Sequence, residues 1–134
     1  MAANSAIIYD TNVWVAYYDE DDATHRRAER LIDSTTDNIV LPEYVCVELC
    51  TVLKHKVDQE RATLASEMLL ENNDIVLLPS SGYFHSVVEL FRSYTEPHLS
   101  FVDVSLLLLS KEYQVVTFDK KLERAIKQFS RNVK

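Results

Sequence analysis

Hydrophobic and polar positions along the chain alternate between short apolar runs and longer amphipathic stretches. Four short runs rich in β-forming residues predict buried strands at 6–10, 38–41, 74–78 and 114–118. The stretches around them repeat with the helical period, which predicts helices at about 12–18, 24–33, 43–57, 59–71, 81–94, 100–113 and 120–129. Pro42, Pro79 and Pro97 mark boundaries, because proline interrupts strands and helix interiors alike.

Strands separated by helices predict an α/β fold with a parallel sheet that is covered on both faces. In such sheets, ligands bind at the carboxyl ends of the strands. The helix at 81–94 is expected to face the core with six apolar residues: Tyr83, Phe84, Val87, Val88, Leu90 and Phe91.

Length and composition narrow the fold to one domain spanning 1–134. The 134 residues are 47% hydrophobic and 26% charged, enough for a core that needs no disulfide or structural metal. The only glycine is Gly82, which excludes the glycine-rich phosphate loop and the dinucleotide-binding fingerprint.

The net charge of −7 argues against unaided, nonspecific binding to nucleic acid or to an anionic membrane. The charge is unevenly distributed, however, because residues 120–134 carry six Lys or Arg and only one acid. This basic end fits either a role in binding or a solvated last helix whose cations suit the helix dipole.

The two cysteines, Cys46 and Cys50, lie four residues apart in a predicted helix, where the side-chain directions do not favour a disulfide. With His55 they offer too few ligands for zinc, so we expect reduced thiols and a cytoplasmic protein. The first residues lack the basic and apolar regions of a signal peptide, and no apolar run is long enough to span a membrane.

Four acidic residues stand where the predicted fold would bring them to one edge of the sheet. Asp10 and Asp119 end the first and fourth strands, Asp103 opens the helix after Pro97, and Glu48 lies in an apolar helix. Each also has a local explanation, as a helix cap, as part of a capping box, or on a solvated strip. Converging carboxylates repel each other unless a cation is present, and carboxylate oxygens favour Mg²⁺ or Mn²⁺ over zinc.

Four segments that carry these acids, IIYDTNVWVAYYDEDDATH, EYVCVELCTVL, LSFVDVSLLLLSKEY and VVTFDKKLERAI, resemble the successive motifs of PIN-domain ribonucleases. The similarity is greatest to the VapC-type toxins of toxin–antitoxin pairs and covers about residues 6–126. It implies a three-layer α/β/α sandwich with a central parallel sheet of four or five strands. It also implies hydrolysis of RNA with Mg²⁺ or Mn²⁺ held by Asp10, Glu48, Asp103 and Asp119, beside the polar supports Thr11, Asn12 and Thr117.

The resemblance further implies a small antitoxin partner, and homodimers are common among such relatives. Aromatic residues that would serve such contacts, or equally the core, are Trp14, Tyr17, Tyr18, Phe84 and Phe91. An acidic loop at 19–22 would oppose RNA if it lay near the active edge, so basic residues must guide the substrate. The candidates are Lys120 and Lys121 beside Asp119, Arg26, Arg27 and Arg30 on one helix, and Lys54 and Lys56 on another.

Several other functions are weighed against this one. A haloacid-dehalogenase-like phosphatase needs a second acid two residues after the first, where this chain has Asn12. A response-regulator receiver needs an aspartate after the third strand, where the sequence is DIVLLPSS. A PIN-like module that binds RNA or protein without cutting, and a housekeeping RNA-processing nuclease, remain open alternatives.

Overall fold

The computed structural model describes residues 6–132 of the chain. Its four strands are β1 (Ile7–Tyr9), β2 (Ile39–Pro42), β3 (Ile75–Leu78) and β4 (Gln114–Val116). Its α-helices are α1 (Thr11–Tyr18), α2 (His25–Asp33), α3 (Glu43–Lys56), α4 (Gln59–Leu70), α5 (Phe84–Ser93), α6 (Phe101–Leu109) and α7 (Lys120–Asn132). A short 3-10 turn, Ser80–Gly82, precedes α5.

The strands form one parallel sheet in the order β3-β2-β1-β4. Ile7 of β1 is aligned with Ile39 on one side and with Gln114 on the other. All three residues of β1 are buried, as expected for a central strand with helices on both faces. The parallel α/β sandwich predicted from the sequence is therefore confirmed.

Helices in two groups enclose the sheet. On one side α1 packs against α2 and α3, and α3 packs against α4, while α6 packs against α5 and α7. The largest fully buried side chains, Trp14 and Tyr9, meet edge to face with ring centroids 5.8 Å apart. Burial of aromatic and aliphatic side chains is the main favourable term in folding a domain of this size.

Every predicted boundary lies within three residues of the observed one except the end of α6. The helix expected to reach residue 113 ends at Leu109, where the hydroxyl of Ser110 donates to the carbonyl of Leu107 at 2.6 Å and competes with the helical pattern. The fourth strand ends at Val116 instead of Phe118, because the next residues bond to side chains of the site described below.

The predicted core face of α5 was wrong at two positions. Val87 is fully buried, but Phe84 and Phe91 are 43% and 45% exposed. The main packing partner of α5 is α6, so the helix buries only a narrow strip. The two exposed rings instead contact Phe101, with centroids 6.2 and 5.3 Å away.

Cys46 and Cys50 are free thiols, as predicted. In the part of the chain that the structure describes, every helix is too short or too polar to cross a lipid bilayer. Lys134, the last cation of the basic end, lies outside the described residues.

Candidate active site

A cleft of about 340 Å³ opens at the carboxyl ends of the central strands. It collects side chains from widely separated parts of the sequence, and all four acids predicted for the site are among them. The residues that line it are Asp10, Thr11, Asn12, Val15, Asp22, Glu48, Val52, Lys56, Asp103 and Asp119.

Asp10 is the most buried of these acids and is held in place by two short hydrogen bonds. The backbone N–H of Thr11 donates to its Oδ1 at 2.7 Å, and the hydroxyl of Thr117 donates to its Oδ2 at 2.7 Å. The pKa of Asp10 is raised to about 6, chiefly by burial; the two hydrogen bonds act to lower it, and the charges of Asp103 and Glu48 act to raise it. The negative charge of Asp10 is therefore poorly compensated by the protein alone.

Thr117 connects Asp10 to the end of β4 through a small polar network. Its Oγ1 accepts hydrogen bonds from the backbone N–H of Asp119 at 3.0 Å and from the side-chain amide of Asn12 at 3.3 Å. The Oδ1 of Asn12 in turn accepts the backbone N–H of Phe118 at 3.1 Å. The two bonds of Asn12 join residues more than a hundred positions apart, and the bond from Asp119 to Thr117 is local; together they position Asp119 at the cleft.

Asp103 and Asp119 each use one oxygen to stabilise the start of a helix. Asp103 Oδ2 accepts the backbone N–H of Ser100 at 2.9 Å, and the hydroxyl of Ser100 accepts the N–H of Asp103, which forms a capping box. Asp119 Oδ1 accepts the backbone N–H of Lys121 at 2.9 Å. Asp103 and Asp119 therefore do cap helices. Each cap occupies one carboxylate oxygen and leaves the other able to accept a further ligand.

Glu48 differs from the other three acids because it caps nothing. It is half-buried in the middle of α3, and no hydrogen bond or ion pair to its carboxylate occurs among the residues that the structure describes. A carboxylate beside two other acids and without a cationic partner is unfavourable unless a ligand compensates it.

One ammonium group faces these carboxylates across the cleft. Lys56 Nζ lies 3.0 Å from Asp22 Oδ2 and 3.6 Å from Asp19 Oδ2. Its hydrogen bond to Asp22 raises the pKa of Lys56. Partial burial acts to raise the pKa of Asp22, but hydrogen bonds from Thr24 and Lys56 outweigh it and the pKa is lowered. The acidic loop thus lies at the edge of the site, as the sequence suggested it could.

The carboxylate oxygens of the cleft are the type of ligand that a hard divalent cation prefers. They are not close enough together to bind one as they stand. Carboxylate oxygens without cysteine or histidine are the ligands that Mg²⁺ and Mn²⁺ prefer. Over residues 6–132, no group of three or more His, Cys, Asp or Glu side chains is arranged closely enough to hold a metal ion as it stands. A bound ion would therefore have to draw the carboxylates of the cleft closer together.

Of the predicted supports, Thr11 and Asn12 line the cleft and Thr117 stands directly behind Asp10. The four residues predicted to bind RNA lie elsewhere. Lys120 and Arg26 are exposed, Lys121 lines a separate groove with Tyr94 and Arg124, and the Arg27 guanidinium stacks 4.4 Å from the ring centroid of Phe118.

The sequence did not predict that Lys56 and Asp22 would line the cleft. Lys56 was one of several basic candidates, and Asp22 was only part of an acidic loop. The signal for Lys56 was its spacing, because Glu48, Val52 and Lys56 recur every four residues and so share one face of α3.

A cavity of about 400 Å³ lies at the opposite edge of the sheet, where Ile39 and Ile75 begin β2 and β3. It is lined by Trp14, Met68 and several polar residues. We favour the smaller cleft as the functional site, because parallel α/β sheets bind ligands at the carboxyl ends of their strands.

Comparison with known proteins gives a match to one family model and to solved structures. The family model of the PIN domain matches residues 7–128. The chain belongs to the PIN domain family. No curated protein sequence matches it significantly. Among solved structures, it is similar to VapC20 of Mycobacterium tuberculosis, described as a sarcin-ricin loop cleaving toxin, with a TM-score of 0.79 and 25% sequence identity.

That similarity covers 89% of this chain and 94% of the VapC20 chain. Family membership and the structural match together support a VapC-type toxin endoribonuclease, as the sequence motifs predicted.

Proposed function

We propose that this protein is the toxin of a toxin–antitoxin pair and cuts RNA by metal-dependent hydrolysis, with Mg²⁺ or Mn²⁺ as the ion. The observation that carries the proposal is the shared cleft of Asp10, Glu48, Asp103 and Asp119. The raised pKa of Asp10 supports it, because burial and two neighbouring acids leave this carboxylate in need of a cation.

In this mechanism Asp10 and Asp103 would hold the ion, and Glu48 and Asp119 would hold it directly or through water. The bound ion would lower the pKa of the attacking water and stabilise the charge that develops on the phosphate. Thr117 fixes the orientation of Asp10 through its 2.7 Å hydrogen bond, so that the carboxylate does not have to be reoriented during the reaction.

The amino termini of two helices also stabilise the negative charge of the reacting phosphate. Thr11 starts α1 at Asp10, and Lys120 starts α7 at Asp119, so two helix amino termini lie at the same edge as the carboxylates. The partial positive charge of a helix start stabilises nearby anions. Water attacks directly, no covalent enzyme intermediate forms, and the products carry 5′-phosphate and 3′-hydroxyl ends.

The test is incubation of the purified protein with a mixed cellular RNA pool and Mg²⁺, followed by mapping of new 5′-phosphate ends. Asp103→Asn is run in parallel, since it keeps the size of the side chain and an oxygen for the capping box but loses the charge. We expect discrete cleavage sites for the unmodified protein, none for Asp103→Asn, and none in the presence of EDTA. Equal cleavage by both proteins would contradict the assignment of the site.

The open spacing of the carboxylates favours one alternative, a PIN-like module that binds RNA or protein without cutting. The same experiment separates the two functions, because a binding module leaves the RNA intact while retaining it on a filter. A housekeeping nuclease would cut as well, and it is distinguished by whether expression of the protein arrests growth.

We also propose an antitoxin partner, a homodimer and a cytoplasmic location. Of the aromatic residues considered for subunit contacts, Trp14 and Tyr18 are buried in the core and Tyr17 is half-buried against it, while Phe84 and Phe91 are exposed and could serve this role. Light scattering of the purified chain measures the oligomeric state. A monomer over the micromolar range would contradict the homodimer.

A further inference from the structure

Lys56 stands apart from the other basic residues because it is the only Lys, Arg or His among the residues that line the cleft in the described chain. It follows Glu48 by eight positions on the same face of α3, with Val52 between them. Eight residues of helix advance about 12 Å, so Lys56 lies beyond the carboxylates along the cleft.

The loop between α1 and α2 holds the ammonium of Lys56 through two acids that are themselves fixed. Asp22 Oδ1 accepts the backbone N–H of Thr24 at 2.8 Å and its hydroxyl at 2.7 Å. Asp19 Oδ1 accepts the backbone N–H of Asp21 at 3.1 Å. In both acids the other oxygen, Oδ2, faces Lys56.

This arrangement leaves Lys56 able to take a further ligand. The two carboxylates engage at most two of the three N–H donors of an ammonium group. The side chain is 48% exposed, so an incoming anion can reach the third donor.

An anionic strand that enters the cleft meets five carboxylates and this one cation: Asp10, Asp22, Glu48, Asp103 and Asp119 against Lys56. A metal ion at the inner acids compensates charge where the bond is cut. Its attraction reaches phosphates farther along the strand only weakly, since interactions between exposed charges are largely screened beyond about 10 Å at moderate salt.

We propose that Lys56 binds a backbone phosphate of the RNA to one side of the phosphate that is cut, from the mouth of the cleft, where it also pairs with Asp19 and Asp22. The inference rests on the proposed ribonuclease function. Among the residues of α3, only Lys56 is expected to contact this phosphate.

The experiment measures the binding of a fluorescein-labelled, twelve-nucleotide, single-stranded RNA by anisotropy, in Mg²⁺ and at several KCl concentrations. All proteins carry Asp103→Asn so that the RNA stays intact. Lys56→Gln is compared with Lys54→Gln, a matched control because Lys54 is exposed on the same helix and does not line the cleft.

We expect Lys56→Gln to weaken binding about fivefold at 50 mM KCl and to reduce the slope of log K against log [KCl] by about 0.7, the value for one phosphate contact on a single strand. Lys54→Gln should change neither quantity. In the cleaving protein, Lys56→Gln should raise KM with little change in kcat, because the contact is made equally before and during the reaction.

Asp22→Asn separates a phosphate contact from a merely structural role of the ion pair. Asparagine retains an oxygen for the Thr24 bonds but removes a negative charge from the mouth of the cleft. We expect RNA binding to tighten in Asp22→Asn and to weaken in Lys56→Gln. Weakening in both, or an unchanged salt slope in Lys56→Gln, would overturn the inference.

The two proposals fail in different ways. If the protein without Asp103→Asn cuts no RNA, the proposed function fails. If it cuts RNA while Lys56→Gln and Lys54→Gln bind and cleave alike, only the assignment of Lys56 fails.

Discussion

Replacing Asp10 by asparagine should make the metal-free protein more stable at neutral pH. The pKa of Asp10 is about 6 in the folded chain, compared with an ordinary value of 3.8. A raised carboxyl pKa means that the folded state binds the proton more tightly than the unfolded state does. Its stabilising effect is complete below pH 3.8 and is lost as the pH rises through 6.

The size of the effect follows from the shift and from one hydrogen bond. A shift of about two units is worth roughly 3 kcal/mol at pH 7, and asparagine abolishes this penalty because it carries no charge. The new NH₂ group cannot accept the hydroxyl proton of Thr117, whose oxygen already accepts two other N–H groups. Loss of that bond costs about 1 kcal/mol, which leaves a net gain of about 2 kcal/mol.

Urea unfolding followed by circular dichroism in EDTA tests this at pH 7 and at pH 4. We expect the variant to be about 2 kcal/mol more stable at pH 7 and about as stable as the original protein at pH 4, where Asp10 is neutral in the fold. Asp37→Asn is the control, since Asp37 is exposed at the opposite edge of the sheet, away from the cleft. A variant that is less stable than the original at pH 7 would refute the reasoning.

Three further predictions follow from the same contacts. Mn²⁺ at about a hundred times its dissociation constant should stabilise the protein by about 2.7 kcal/mol and raise its thermal midpoint by several degrees, as measured by calorimetry. Asp10→Asn should abolish this shift. Thr117→Val should cost about 1–3 kcal/mol in urea unfolding, because it leaves the backbone N–H of Asp119 without its hydroxyl acceptor; an unchanged midpoint would contradict the network. Replacing Lys120 and Lys121 together by alanine should weaken RNA binding and flatten its salt dependence, and unchanged affinity at every salt concentration would exclude a phosphate contact by either residue.

The sequence was sufficient to predict that the four acids come together at one edge of the sheet. A parallel sheet brings the carboxyl ends of its strands to one edge, so the positions of Asp10 and Asp119 after β1 and β4 already implied that they meet. The strand order itself could not be read from periodicity, since the same apolar runs allow several arrangements. The motif resemblance supplied the three-layer architecture and the set of four acids, and the order of the strands came from the structure.

The cationic side of the site was less predictable, for a physical reason. Clusters of charge in the sequence drew attention to Arg26, Arg27, Lys120 and Lys121, yet these residues lie outside the cleft. Lys56 faces the cleft because its helix begins directly after β2 and packs against α1. Such packing depends on contacts between distant segments, which local charge patterns do not record.

The exposure of Phe84 and Phe91 has a similar origin. The spacing of apolar residues on α5 correctly predicted a helix with an apolar face. How much of that face is covered depends on how many neighbours the helix has, and α5 packs mainly against α6. A hydrophobic stripe therefore predicts a preference for burial without identifying the partner that provides it.

The dependence of Asp10 on Thr117 also bears on the birth of the protein at the ribosome. The hydroxyl that orients Asp10 is encoded 107 residues after it, and β4 supplies one of the two neighbours of β1. A nascent chain without β4 lacks both this strand pairing and the hydroxyl group that holds Asp10. The cleft is therefore completed only after β4 has been synthesised and paired with β1.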